Sequence, residues 1–240
     1  LIHDTYQTTL AKLDEIEALW HQIPKQCKPF ETPKLDSLWH KQDYESAFDA
    51  IMSGLKAGRC YQVNLTQPFR LEMSAKPWQL YEKISRHNPE PYGAYLDYGD
   101  HQILSFSPEC FMTVDEDRVT TRPIKGSIAR CSHNPNLDRS LAATLANSEK
   151  DRAENVMIVD LLRHDLSKIA QKGSVLVNRL YELESYPQIH HLVSEITALK
   201  KKSISAFDVL LSAFPGGSIT GAPKIESMKM ISELELTSRG

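Results

Sequence analysis

The 240-residue chain has no long apolar run, and uninterrupted stretches such as Val156-Met157-Ile158-Val159 fall far short of the about 20 residues that a membrane-spanning helix needs. It is also poor in cysteine. Cys27, Cys60, Cys110 and Cys131 are scattered and form no Cys-x-x-Cys pair, which argues against a zinc site and fits reduced thiols in a cytoplasmic enzyme. Neither sign of charge dominates: 28 Lys and Arg stand against 31 Asp and Glu, a net charge of −3. There is therefore no basic field to hold nucleic acid or an anionic membrane, and any partner must be recognised locally. The start, Leu1-Ile2-His3-Asp4, has no initiator Met, no basic segment and no apolar core of a signal peptide. It reads as the inside of a longer chain. No internal repeat or low-complexity tract is visible. What remains is ordinary globular usage, with 41% hydrophobic and 25% charged residues, at a length that allows one large domain or two small ones.

Apolar residues at Leu10, Leu13, Ile16, Leu19 and Trp20 predict an amphipathic helix over residues 4 to 22. Pro24, Pro29 and Pro33 then mark a connector over residues 23 to 37. Helices are expected from Asp43 to Lys56 and from Trp78 to Ser85, with a strand over Tyr61 to Thr66 that Pro68 limits. From Tyr92 onward, short runs rich in aromatic and β-branched residues read as an antiparallel meander that delivers the chain into Pro123-Ile124-Lys125-Gly126-Ser127. The clearest helix runs from about Ser148 to Lys172, opened by a capping-box-like Ser148-Glu149-Lys150-Asp151 and closed by Gly173. At ~100° per residue, Asp151, Glu154 and Asp165 share one narrow stripe of it. A strand is expected over Ser174 to Leu183, a solvated turn at Lys200-Lys201-Lys202, a helix over Phe207 to Phe214, and a last helix over Ile225 to Leu236. Strands and helices do not alternate regularly, which points to α+β with antiparallel sheets and helices packed outside.

Lys125 sits between Pro123 and Gly126 at the end of a strand, so its amine is positioned. It is either a nucleophile, activated by burial or by a neighbouring cation such as Arg122, or an exposed salt-bridging lysine. Glu109, in Ser107-Pro108-Glu109, is expected to approach Lys125 across the sheet, as an acid/base group or as a cross-strand ion pair. Glu154 stands in a helix expected to be buried, where a carboxylate needs magnesium or pairing with Arg152 or Arg163. The glycine-rich Pro215 to Lys224 segment is either an anion cradle or a tight turn, and it lacks the Gly-Lys-Ser/Thr ending of a P-loop. His191 with Ser194 faces the same choice between substrate contact and a structural role.

Five segments taken together carry a more specific signal. They are Cys60-Tyr61-Gln62-Val63-Asn64-Leu65, Ser105-Phe106-Ser107-Pro108-Glu109, Thr121-Arg122-Pro123-Ile124-Lys125-Gly126, Asp151-Arg152-Ala153-Glu154-Asn155 through Asp160-Leu161, and Gly217-Ser218-Ile219-Thr220-Gly221-Ala222-Pro223-Lys224. In order and spacing the chain resembles the chorismate-utilising enzymes, from about residue 43 to its end. Within that family, a lysine in Pro-Ile-Lys-Gly resembles the aminodeoxychorismate synthases, where anthranilate synthases usually carry alanine. The resemblance implies that the Lys125 amine adds to C2 of chorismate and expels the C4 hydroxyl, and that ammonia then enters at C4. It further implies Glu109 as the acid/base, Glu154 as a ligand to Mg2+, and Gly126, Ser127, His191 and Ser218 as the lining of the substrate site. Ammonia would come from a separate glutamine amidotransferase subunit, since nothing here resembles a glutaminase triad. Residues 1–42 are expected to be the remnant of an N-terminal region with its connector, and residues 43–240 a partial chorismate-binding domain.

Three departures from the family pattern stand out: Ser127 for the usual Thr, His164 for the Asn of Arg-Asn-Asp, and a chain that stops at Gly240 before the family's second metal-binding Glu. The isolated chain is therefore expected to be inactive. The competing expectations are an anthranilate synthase component I or another member of the family, and a binding module without turnover. For the last of these, Asn88-Pro89-Glu90-Pro91-Tyr92 resembles the family segment that helps to bind a tryptophan-like ligand.

Overall fold

The computed structural model describes residue 12 and residues 34–239. The helix expected over residues 4 to 22 and the connector up to residue 33 lie outside the described residues. In chain order the elements are β1 (Leu35–Ser37), α1 (Lys41–Lys56), β2 (Gln62–Val63), β3 (Phe69–Leu71), α2 (Pro77–His87), β4 (Tyr92–Asp97), β5 (Gln102–Ser107), β6 (Cys110–Asp115) and β7 (Arg118–Arg122). They continue with β8 (Ile124–Ala129), α3 (Pro135–Ala146), α4 (Glu149–Ile169), β9 (Leu176–Ser185), β10 (Ile189–Leu199), α5 (Ala206–Ala213), α6 (Gly217–Thr220), β11 (Gly221–Ala222) and α7 (Lys224–Leu234). The α+β class with antiparallel sheets agrees with the expectation.

Two compact units divide these elements, one holding residues 72–106 and the other residues 35–71 and 107–239. In the first, β4 pairs with β5, and Tyr81 of α2 stacks on Phe106 with ring centroids 5.2 Å apart. Trp78 meets Tyr95 edge to face at 5.1 Å. The expected meander is therefore two separate pairings, because β6 joins β7 in a different sheet.

The second unit is organised around β10. On one edge it pairs with β9 along most of its length, from His190↔Ser185 to Thr197↔Leu176. Its other edge is shared: Ile196 to Leu199 pair with Thr121 to Arg118 of β7, and Ile189 to Val193 pair with Ala129 to Ile124 of β8. Pro123 separates β7 from β8 because it has no N–H to give to a ladder. Its carbonyl still accepts from Ser194 N–H at 3.1 Å. β6 adds to the outer edge of β7.

Helix α4 packs on this sheet. Ser148 caps it by accepting from the Asp151 N–H at 3.3 Å. Its apolar face, Ile158, Leu162, Leu166 and Ile169, repeats at helical spacing and joins Val119, Ile196, Ala198 and Val209 in one buried cluster. Each such side chain contributes roughly 1.5–3 kcal/mol when fully buried. The helix ends at Ile169, short of Gly173, because Ala170 is extended and bridges to Lys200 while Lys201 N–H donates to the Ile169 carbonyl. Lys200 is not a solvated turn residue, since its Nζ lies 3.0 Å from Asp117 Oδ1.

Outside this core, β1 pairs with β3, so the end of the expected connector is a strand. β2 is only two residues long and pairs with β11 across Gly221↔Val63 and Ala222↔Gln62. The glycine-rich segment is thus one helical turn and a short strand. Gly221, at φ +144°, takes a backbone conformation reserved for glycine, and a Cβ there would stand 2.1 Å from the Gln62 carbonyl oxygen.

Asp165 of α4 is 1% exposed, and both of its oxygens are taken, one by Lys168 Nζ at 2.8 Å and the other by Lys224 Nζ. Lys224 also donates to the Ala213 carbonyl at 2.8 Å. A buried carboxylate is tolerated only with such partners. Lys224→Met should therefore cost about 3 kcal/mol in urea denaturation, and Asp165→Asn with Lys224→Met should cost less than the two single changes added together. Additive losses would show that the pair carries no coupling.

Candidate active site

Between Ser127↔His191 and Val193↔Ile124, β8 holds two residues, Lys125 and Gly126, where β10 holds only Leu192. This is a β-bulge, which bends the strand and re-aims a side chain. The bulge needs glycine: Gly126 has φ +92°, and a Cβ there would meet Asp151 Cβ of α4 at 2.9 Å. Opposite the bulge, the Leu192 carbonyl accepts from the buried Asn155 amide at 3.5 Å. Asn155 Oδ1 in turn accepts from Ser194 Oγ, which itself accepts from Tyr181 N–H at 2.8 Å. The helix is thereby stitched to the sheet at the point where the ladder is interrupted.

The re-aimed Lys125 reaches the Ser218 carbonyl with Nζ at 3.4 Å. Glu109, in the short link between β5 and β6, accepts from Ile124 N–H at 3.3 Å. Burial pushes the Glu109 carboxyl above the ordinary glutamate range, opposed by the Ile124 N–H, the Ser218 hydroxyl and the charge of Lys125. Glu109, Lys125 and Ser218 therefore converge. Beside them lies a cavity of about 290 Å³, whose walls include Glu109, Phe111, Thr121, Leu162, Ser218 and Ile219. Lys125 does not itself line that cavity; it reaches the cavity's wall through Ser218. A carboxyl whose pKa is raised by burial, beside a positioned amine, can serve acid/base and nucleophilic chemistry.

Ser127 and His191 form a second pair, with Ser127 Oγ 2.6 Å from His191 Nδ1. Ser194 is not with them, being tied to Asn155. Arg122, expected as a cation beside Lys125, is engaged by Glu184 and by Glu195 at 3.6 Å. Glu154 is not buried as expected. Its side chain is 36% exposed, and it contacts Lys150 loosely at 3.8 Å; Arg163 pairs with Asp160, and Arg152 lies over the Tyr181 ring. Lys224, at the end of the glycine-rich segment, is committed to Asp165 and is no anion ligand.

Among the described residues, no three His, Cys, Asp or Glu side chains gather closely enough to hold a metal ion. Glu154 is an accessible carboxylate whose oxygens are not clamped as those of Asp165 are, and it is chemically able to give one oxygen ligand to magnesium. Sequence reasoning missed Asn64, although it stands inside a quoted motif; its amide donates to the same Ser218 carbonyl. It also missed the Asp138 cluster, in which Arg130, the Cys131 N–H and His190 all converge on one carboxylate.

A family model described as chorismate binding enzyme matches residues 3–240, and the chain belongs to that family. It is 43% identical over 238 residues to aminodeoxychorismate synthase component 1 of Salmonella typhimurium, a match covering 97% of this chain and 52% of that protein. The same component of Escherichia coli is 42% identical over 239 residues, with 97% and 52% covered. Among solved structures, anthranilate synthase component I from Streptococcus pneumoniae superposes with a TM-score of 0.83 at 30% identity, covering 98% of this chain and 52% of that one. The chain thus spans about half the length of the curated relatives it matches. No helix among the described residues is long and apolar enough to cross a membrane.

Because the folded Glu109 carboxyl titrates above its ordinary value of 4.5, its contribution to stability is full below that value and is lost as pH rises through the folded pKa. Melting temperatures taken from pH 4 to 8 should fall for the native chain relative to Glu109→Gln; parallel curves would contradict the burial argument. Gly126→Ala should cost about 1–3 kcal/mol through the forced backbone conformation, and denaturation of the variant measures it.

Proposed function

We propose that this chain carries the chorismate site of an aminodeoxychorismate synthase component 1. The observation that carries the reading is Lys125, re-aimed by the β8 bulge toward Ser218 and Glu109. The two curated relatives named above bear that activity in their names. The Lys125 amine forms a bond to C2 of chorismate as the C4–O bond breaks. Glu109, whose burial favours its protonated form, gives its proton to the leaving hydroxyl, which departs as water. Ammonia then bonds to C4 while the C2–Nζ bond breaks and the added nitrogen returns a proton to the Glu109 carboxylate, which regenerates Lys125 and Glu109 and yields 4-amino-4-deoxychorismate for p-aminobenzoate and folate synthesis.

Gly126, Ser127, His191 and Ser218 border the substrate, with Gly126 bringing backbone close to it and the Ser127–His191 pair offering a hydroxyl and an imidazole. Glu154 would hold Mg2+ through one carboxylate, and the ion when bound supplies positive charge to a substrate carboxylate. The ammonia source is a glutamine amidotransferase subunit, the partner that the designation component 1 of the relatives fits, and the complex works in the cytoplasm. The chorismate-binding part takes in residues 43–240.

The deciding assay supplies the full-length protein with chorismate, magnesium and ammonium. Aminodeoxychorismate is the expected product, and anthranilate would overturn the assignment. Lys125→Ala should lose at least about a thousandfold in turnover with ammonium, and retention of full rate would remove the covalent step. Chorismate binding without any turnover by the full-length protein would leave a binding module instead.

A further inference from the structure

Two groups meet at the Ser218 carbonyl. Lys125 Nζ donates to it at 3.4 Å and the Asn64 amide donates to it from another of the quoted motifs, while the Ser218 side chain and Lys125 both act on the Glu109 carboxyl. Asn64 is itself held on every polar atom of its backbone. Its N–H donates to the Thr220 carbonyl at 2.9 Å, and its carbonyl accepts from Arg239. Arg239 also donates to the Ile219 carbonyl and pairs with Glu235. Glu235 in turn accepts from Thr66 N–H at 2.9 Å. The Asn64 side chain thus projects from a fixed base, just beyond the β2–β11 pair.

We propose that Asn64 is a positioning residue for Lys125: its amide fixes the Ser218 carbonyl, and that carbonyl fixes the direction in which the Lys125 amine presents its lone pair. A neutral amine that donates one N–H to a fixed acceptor has its lone pair directed away from that acceptor. An acceptor free to turn gives no such direction. The Asn64 amide bonds the Ser218 carbonyl, and it acts on the amine through that carbonyl. The inference rests on Lys125 as the nucleophile of the proposed reaction.

The test uses Asn64→Ala and the near-isosteric Asn64→Leu, which fills the same space without a donor. Turnover of the full-length protein is measured with chorismate and ammonium. In parallel, lysines of the free protein are labelled by brief acetic anhydride treatment and quantified by mass spectrometry. Lys150, whose side chain is 83% exposed, serves as the internal reference, and Lys224, held by Asp165 and the Ala213 carbonyl, reports on the intact fold.

Loss of the amide should lower kcat about tenfold, the scale of one hydrogen bond, with KM for chorismate little changed. Labelling of Lys125 relative to Lys150 should rise at least about threefold, since the released amine is more accessible, while Lys224 stays protected. Opposite movement of labelling and kcat is the signature of lost direction rather than lost nucleophilicity. Unchanged Lys125 labelling in either variant, or a joint rise at Lys125 and Lys224, overturns the proposal. Lys125→Ala, assayed alongside, separates the two ideas. If that variant keeps its turnover the nucleophile reading fails, whereas a loss of turnover there with no change of kcat in the Asn64 variants defeats the positioning role alone.

Discussion

Between Pro123 and Ser127 the chain must turn from the β7 half of one sheet edge into the β8 half, and it does so with one residue more than β10 can pair. Everything at the site depends on that mismatch. Pro123 cannot extend the ladder, Gly126 alone can take the backbone angle, and the amine between them is turned toward Ser218 and Glu109. The interruption leaves the Leu192 carbonyl facing α4, where Asn155 satisfies it. Helix, central strand and bulge are therefore one mechanical unit, held by a short polar chain through a core that is otherwise apolar.

The charges are arranged with the same economy. Arg122 is held by Glu184 and Glu195, Arg130 by Asp138, Lys200 by Asp117, and Lys224 by Asp165. Lys125, by contrast, meets a backbone carbonyl and lies near a carboxyl whose pKa burial raises. A strong ion pair would fix the ammonium form and hold its hydrogens away from any reaction. The backbone carbonyl positions the amine without an ion pair of that kind.

Much of this was legible in the order of residues, and the failures share a cause. The Pro-Ile-Lys-Gly segment announces a stiffened strand end with a glycine-only angle, and the i, i+4 spacing of Ile158, Leu162 and Leu166 announces the packed face of α4. These are local signals. The meander was misread as one sheet because alternation shows that a strand exists and not which partner it takes; β5 and β6 share a pattern and belong to different pairings. Glu154 and Asp165 fall on one stripe of a helical wheel, yet one is accessible and the other buried. Burial is decided by what covers each turn, here Val209 and Lys224 from far along the chain. Arg122 stands beside Lys125 in sequence, but alternation along the strand and two glutamates turn its charge elsewhere. Asn64 was invisible for the same reason, since its partner is 154 residues away.

That separation has a kinetic side. The β9–β10 hairpin joins residues close in the chain, and such contacts form early because little loop entropy opposes them. The contact between Asn64 and Ser218, and the two-residue β2–β11 pair beside it, must close a loop of most of the chain while offering few hydrogen bonds in return. The scaffold can therefore be native in its sheet and helices before the wall that faces Lys125 is in place, and during synthesis the amine emerges long before the segment that orients it.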